Sequence, residues 1–436
     1  MTASLALSHR ARHTDEQPIS YFMQQAVENP NLISLAAGLV DAESLPAADV
    51  DVALRDIFAE LESARAALQY GTTQGYLPLR EKILDHAAQL DGLAPRELGV
   101  DVEDVVVTTG SQQLLYLLGE TLLDPGDVVI TEAPSYFVYQ SALNSFGVRT
   151  LQVPMDEEGM DTAALETLLK QLDQSGNLRR VKMIYTVDYF QNPTGLTLSL
   201  PRRRHLMDLV RRYSKHHRLL VLEDAAYREL RYEGNDVPSL KSMDEGNQHV
   251  LLAMTFSKPL APGLKTGYGL LPRDVAKALL RFKGNHDFGS SNLCQHLLDR
   301  LLGNGSYHRQ AERLRVVYRR KRDAMLQALA AEFPEVTGAR WTHPEGGLYV
   351  WLTCPVGVPT GPGSPLMKSA LREGVLYVPG EFCYEKGSDV PRHEARLCFG
   401  VAEVEQIREA IRRLARAARD CGLPRLALKA FAGCRG

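Results

Sequence analysis

From Asp104 onward the chain alternates short apolar runs with amphipathic stretches. The runs Val105–Thr108, Val128–Thr131, Val181–Thr186, Leu219–Leu222 and Val250–Thr255 are β-branched or Leu-rich and as long as buried strands. Between them, Gln112–Leu123, Pro201–His216 and Ala276–Lys283 repeat apolar residues at helical spacing. This alternation predicts an α/β domain with a mostly parallel central sheet flanked by helices. Beyond about residue 300 the texture changes. Tyr307–Glu332 reads as a long charged helix, Gly347–Leu352 and Ala395–Phe399 as strands, and Val404–Arg419 as a closing helix. Together they predict a smaller α+β domain, with Pro355–Pro365 as a loop. Residues 1–18 are polar and read as an arm, and no internal repeat or low-complexity tract interrupts the chain.

Charge and composition narrow the function classes. The 436 residues carry 50 Lys+Arg against 53 Asp+Glu, a net charge of −3. That balance excludes a strongly basic nucleic-acid binder and an acidic disordered chain. The arginines of the last helix (Arg408, Arg412, Arg413, Arg416 and Arg419) therefore read as a solvated face. No run approaches the ~18 apolar residues of a membrane span. The first residues lack the charged-then-apolar order of a secretory signal. Cys294, Cys354, Cys383, Cys398, Cys421 and Cys434 are scattered without a CxxC pair, which suits free thiols in a reducing cytoplasm. Neither a metal site nor a nucleic-acid or membrane partner is expected.

Four apolar runs end in unusual polar residues, and ligands of α/β sheets bind beyond the carboxyl ends of strands. Thr108-Thr109-Gly110-Ser111-Gln112 joins a strand to a helix whose free N–H groups suit a phosphate, although a serine cap explains it equally well. Asp188-Tyr189-Phe190-Gln191-Asn192-Pro193-Thr194-Gly195 is a turn by composition. Leu219–Leu222 runs into Glu223-Asp224, with Tyr227 three residues on; a buried acid there needs a cationic partner. Thr255-Phe256-Ser257-Lys258 places a lysine after an apolar run, as a nucleophilic amine kept partly desolvated requires.

Asn-Pro-x-Gly, then Asp-x-x-Tyr, then Ser-Lys followed seven residues later by Lys265, resembles the class I/II pyridoxal-phosphate aminotransferases of fold type I. The resemblance covers roughly residues 30–415. It is nearest in texture to the 2-aminoadipate and aromatic aminotransferase-like subgroup. Gln69-Tyr70-Gly71, Gly75-Tyr76-Leu77-Pro78-Leu79-Arg80 and Glu132-Ala133-Pro134-Ser135-Tyr136 also match. It implies an arm over 1–50 joining the small domain, a large cofactor-binding domain over 51–300 and a small domain over 301–436.

The same resemblance implies roles. Lys258 matches the Schiff-base and proton-transfer lysine, and Asp224 the acid facing the pyridine nitrogen. Asn192 and Tyr227 match the partners of the ring's 3-oxygen, and Tyr136 the aromatic ring stacked on the cofactor. Ser111, Gln112, Thr255, Ser257 and Lys265 match phosphate contacts, as does Tyr70 reaching from the other subunit of a homodimer. Gly38 matches a glycine beside the substrate, and Arg396 the clamp on its α-carboxylate. The implied reaction moves an amino group between an L-amino acid and a 2-oxo acid by a ping-pong cycle. A lyase or decarboxylase would use the same residues, and a non-catalytic cofactor-binding regulator is a further reading. Three positions depart from the pattern: Lys265 stands for the usual arginine, Pro259 for a small polar residue and Asp188 for a proline. Ile19, Tyr21, Phe22 and Met23 hint at an apolar or aromatic substrate side chain, whereas Lys283 and His286 would suit an acidic one.

Overall fold

The computed structural model describes residues 31–333, 338–387 and 390–421, together with 5–14, 18, 22, 25, 28 and 29 of the preceding segment. Ile19, Tyr21, Met23 and Cys434 lie outside the described residues.

The first strand among the described residues is the two-residue β1 (Ile33–Ser34). The large sheet then takes β2 (Val105–Thr108), β3 (Val128–Ala133), β4 (Arg149–Asp156), β5 (Gly159–Met160), β6 (Val181–Thr186), β7 (Leu220–Asp224), β8 (Val250–Thr255) and β9 (Gly267–Leu270). Its order is β2-β9-β8-β7-β6-β3-β4-β5. The central pairs β3–β6, β6–β7 and β7–β8 are parallel, and β9 runs antiparallel to both of its neighbours.

Alternation along the strands builds a core on each face of this sheet. Val129, Met183, Tyr185 and Leu222 join the core that also holds Leu114 and Leu118 of the helix Gly110–Leu122. Val128, Ile130, Ile184 and Val221 join the other core, with Leu165 and Leu169 of Thr162–Gln174 and Leu206 and Leu209 of Leu200–Tyr213. Both faces are covered, which is why these strands read as continuous apolar runs.

The smaller sheet takes β10 (Arg340–Trp341), β11 (Tyr349–Thr353), β13 (Val378–Pro379) and β14 (Glu394–Cys398), in the antiparallel order β10-β11-β14-β13. The helix Ser306–Glu332 leads towards it, and Val404–Asp420 packs against that helix. A further short strand, β12 (Val375–Leu376), pairs in parallel with β1, so the arm is stitched to this part of the chain. No helix among the described residues is long and apolar enough to cross a membrane. The five described cysteines are free thiols.

Candidate active site

Thr108, Gly267 and Thr255 stand side by side in the sheet register, because β9 pairs with both β2 and β8. Everything that follows β2 and β8 therefore emerges at one edge. Thr186 and Asp224 end β6 and β7 at the same edge. A cavity of about 420 Å³ opens there, between the large sheet and Tyr349 and Arg396 of the small one.

One end of the cavity is built for an anion. Gly110 turns the chain with φ 74° into the helix Gly110–Leu122. No side chain caps the N–H groups of that first turn, and they carry the positive end of the helix dipole. Gly267 presses against this turn: a Cβ there would lie 2.6 Å from the Ser111 nitrogen and 2.7 Å from the Gly110 carbonyl carbon. Thr255 Oγ1 donates to Ser257 Oγ at 3.0 Å, and the Ser257 N–H returns to Thr255 Oγ1 at 3.1 Å. Lys265, at φ 48°, faces the same cavity and forms no ion pair among the described residues.

The middle holds the reactive groups. Lys258 Nζ donates to the Gly38 carbonyl at 2.8 Å and lies 5.9 Å from the centre of the Tyr227 ring. Burial lowers its pKa from 10.5 to about 8, and the positive charges of Arg396 and Lys265 push the same way. Asp224 accepts from Tyr185 Oη at 3.0 Å and from the Ala226 N–H at 3.3 Å. Burial raises its pKa to about 6 against the pull of those two donors. Tyr136 lines the wall, and burial drives its phenol well above the ordinary range.

At the other end Arg396 is 1% exposed. One Nη donates to Asn192 Oδ1 at 2.8 Å and the other to the Ala36 carbonyl at 2.7 Å. Its guanidinium lies 4.5 Å from the ring centre of Tyr349 and 5.4 Å from that of Phe137. No carboxylate pairs with it among the described residues, and its Nε has no partner. A buried cation with neutral partners alone is short of an anion.

Ser111, Gln112, Tyr136, Asn192, Asp224, Tyr227, Thr255, Ser257, Lys258, Lys265, Gly38 and Arg396 all line this one cavity. Tyr70 does not. It is 87% exposed and borders a separate cleft of about 440 Å³ with Gly71, Phe288 and Asn292. Lys283 is turned inward to Asp287 at 2.7 Å and Ser290 at 3.2 Å, and His286 Nδ1 lies 3.0 Å from Gln113 Nε2. Neither lines the cavity, so their suggested contact with an acidic substrate has no basis in this geometry. The Asp188 departure has a physical reason: its carboxylate is buried against Arg203, which also donates to the Asp188 carbonyl at 2.7 Å.

Sequence reasoning missed Tyr349. Its hydroxyl meets Tyr227 Oη at 3.0 Å, and its ring supports Arg396. A Cβ at Gly38 would fall 2.6 Å from the same hydroxyl, which accounts for the glycine. Tyr185, which holds Asp224, was also missed. It sits inside an apolar strand whose pattern marks it as core, and no local signal separates it from its neighbours.

The residues present fit pyridoxal phosphate. Three cations (Lys258, Lys265 and Arg396) and one carboxylate face the cavity, with an uncapped helix turn at one end and, at the other, a guanidinium that no carboxylate among the described residues neutralises. A phosphate, a ring nitrogen and a substrate carboxylate are the groups this arrangement lacks.

Comparison with known proteins gives the same answer. Residues 30–414 match the family model described as aminotransferase class I and II. The chain is 35% identical to the aromatic-amino-acid aminotransferase 1 of Thermococcus litoralis, over 89% of this chain and 88% of that one. It is 36% identical to the 2-aminoadipate transaminase of Thermus thermophilus, over 89% and 91%. The crystal structure of the Pyrococcus horikoshii kynurenine aminotransferase in complex with PMP superposes with a TM-score of 0.86 at 34% identity, covering 95% of this chain and 97% of that one.

Proposed function

The chain belongs to the class I and II aminotransferases, and from that premise we propose a homodimeric, cytoplasmic transaminase of L-amino acids with apolar or aromatic side chains. It is a pyridoxal-phosphate enzyme of fold type I that exchanges an amino group between an L-amino acid and a 2-oxo acid. The observation that carries the reading is the convergence of Lys258, Asp224 and an anion-seeking Arg396 on one cavity. No observation at the site favours elimination, decarboxylation or DNA-linked regulation over transamination.

The bound cofactor supplies an electrophilic carbonyl and a ring that withdraws electrons from the substrate's α-carbon. Ser111, Gln112, Thr255, Ser257 and Lys265 would hold the phosphate, with the helix turn at Gly110 adding backbone donors. Tyr136 would support the ring from the cavity wall, and Asn192 and Tyr227 would hold its 3-oxygen. Asp224 would pair with the ring nitrogen and, as an ionised carboxylate, favour a proton there. The lowered basicity of Lys258 leaves a useful neutral fraction near neutral pH, so its amine acts as nucleophile and then carries a proton to or from the α-carbon. Arg396 and Asn192 grip the α-carboxylate beside Gly38, and the two Arg396 donors fix the orientation of the bond to be broken.

The side-chain preference rests on the cavity wall. Leu39, Phe137, Val138 and Tyr349 are apolar or aromatic, and the three cations already have roles. A distal carboxylate would find no further cation among the described residues that line it. Dimerisation is supported by the exposed Tyr70, Phe288 and Leu68 around the second cleft, and it would bring Tyr70 to the partner's phosphate. The division into arm (1–50), large domain (51–300) and small domain (301–436) is supported by the two separate sheets and by the β1–β12 stitch. The free cysteines agree with a reducing compartment.

A panel of L-amino acids mixed with holoenzyme, read by the change in cofactor absorbance, tests the proposal. Phenylalanine, tyrosine and leucine should react faster than aspartate and glutamate. The reverse order refutes the side-chain assignment, and no spectral change with any amino acid refutes the transaminase. A monomer in light scattering refutes the dimer.

A further inference from the structure

Glu132, at the fifth position of β3, lies outside the cavity lining, yet it is 1% exposed. Its carboxylate has no cationic partner among the described residues. Instead three donors converge on it: Thr186 Oγ1 at 2.6 Å, the Val187 N–H at 3.2 Å and Gln191 Nε2 at 2.5 Å. The same Gln191 nitrogen donates to the Pro134 carbonyl at 3.1 Å. Gln191 Oε1 accepts from Thr194 Oγ1 at 2.6 Å. The Gly195 N–H closes the turn on the Gln191 carbonyl at 2.6 Å.

This arrangement ties two parts of the site together. The strand end Glu132–Pro134 leads directly into Tyr136. The turn from Gln191 to Gly195 carries Asn192, whose Oδ1 accepts from Arg396. One buried carboxylate thus fixes the spacing between the ring-stacking residue and the acceptor that aims the guanidinium. We propose that Glu132 is a positioning residue for substrate recognition: by holding Gln191 against the end of β3 it keeps Asn192 in place and Arg396 aimed at the incoming carboxylate. This rests on the transaminase reading and adds to it a group that never touches cofactor or substrate.

All three of its partners donate, so the ionised form is the one the site accommodates. A proton on Glu132 removes the charge that strengthens these three hydrogen bonds and so loosens its hold on Gln191. The charged groups acting on Glu132 across the sheet end are the carboxylates of Asp224 on β7 and Asp188 in the loop after β6, and a negative charge on either disfavours its ionisation. Burial, aided by Asp224, raises the Glu132 pKa from 4.5 to about 7 against the pull of its three donors. Substrate grip should therefore weaken as the pH falls through about 7.

The test is a double-mutant cycle with Glu132→Gln and Gln191→Leu, measured on holoenzymes of matched cofactor content. Each single change should raise KM for the amino acid and for the oxo acid about tenfold, with kcat within about threefold of wild type. The double variant should be no worse than either single variant, because both cut the same link. Binding of 3-phenylpropionate, a carboxylate without an amino group, should weaken by the same factor in calorimetry. Its loss of affinity below pH 7 in the wild type should disappear in Glu132→Gln. Additive effects, a fall in kcat at unchanged KM, or an unaltered pH profile in Glu132→Gln would overturn the proposal. If Glu132→Gln does not fold, Gln191→Leu alone decides through the KM-against-kcat split. Absence of turnover in the wild type would refute the transaminase reading, whereas the cycle in a working enzyme addresses Glu132 alone.

Discussion

Replacing Arg396 by lysine keeps the positive charge and removes the planar fork. In the wild type, both terminal nitrogens are engaged, one with Asn192 at 2.8 Å and one with the Ala36 carbonyl at 2.7 Å, and the group is 1% exposed. A lysine ammonium cannot reach both acceptors and still present two parallel donors to a carboxylate. At least one charge-assisted hydrogen bond to substrate is lost, worth about 1.5–3 kcal/mol. At 1.36 kcal/mol per decade, that is roughly ten- to 150-fold in substrate binding. Steady-state kinetics on both half-reactions is the assay. KM for the amino acid and for the oxo acid should rise together, because the same clamp holds both. The absorbance of the bound cofactor should stay as in the wild type, because the clamp is at the opposite end from the phosphate cup. A KM within threefold of wild type for both substrates would refute the clamp, as would a loss of cofactor with unchanged KM.

Four further outcomes follow from the same geometry. Lys258→Ala should abolish turnover, and borohydride reduction of the wild-type holoenzyme should leave a cofactor label on the peptide containing Lys258; a label elsewhere refutes the assignment. Because burial brings this amine to about 8, capture of pyridoxal phosphate by the apoenzyme should accelerate as the pH rises from 6 to 8 and level off above about 9; a rate that climbs steadily to pH 10.5 contradicts it. Asp224→Asn should lower turnover at least 100-fold yet stabilise the apoenzyme. An acid whose folded pKa is raised to about 6, above its unfolded value, loses stability as the pH rises between the two, here by about 3 kcal/mol. The melting-temperature gain of the variant should thus grow from pH 4.5 to 6.5 and then stay constant, and a gain that shrinks over that range would show the sign to be wrong. Gly267→Ala should place a methyl carbon 2.6 Å from the Ser111 nitrogen, costing about 1–3 kcal/mol and weakening cofactor retention on dialysis; an unchanged melting temperature and unchanged retention would argue against the close approach.

Most strands of the large sheet were legible because they are buried on both faces. Val105–Thr108, Val181–Thr186 and Val250–Thr255 are observed with the bounds their composition predicts, and β3 runs two residues longer than its apolar run. Gly267–Leu270 was not legible: two glycines in four residues look like loop, and only its neighbours β2 and β8 make it a strand. Arg149–Asp156 was hidden because most of its residues are partly exposed, so no apolar run marks it. The same contrast holds in the site. Asn192, Asp224 and Lys258 each stand beside a strand end with a local signature. Tyr349 acquires its role only through the β11–β14 register, where Trp351 lies opposite Arg396 and Tyr349 opposite Cys398, putting the tyrosine ring diagonally under the guanidinium. No motif encodes a cross-strand diagonal. Glu132 falls between these cases: its segment was recognised, but its three donors come from a different strand and turn.

The strand pair β1–β12 has a mechanical consequence. The backbone that leaves β1 is gripped by the small sheet, through the Cys398 N–H on the Leu35 carbonyl at 2.7 Å and Arg396 on the Ala36 carbonyl, and two residues later it receives Lys258 at the Gly38 carbonyl. Any swing of the C-terminal lobe therefore tugs a short peptide tether whose far end is the amine itself. A displacement of β14 relative to the large sheet would thus be felt at the carbonyl that holds the Lys258 amine.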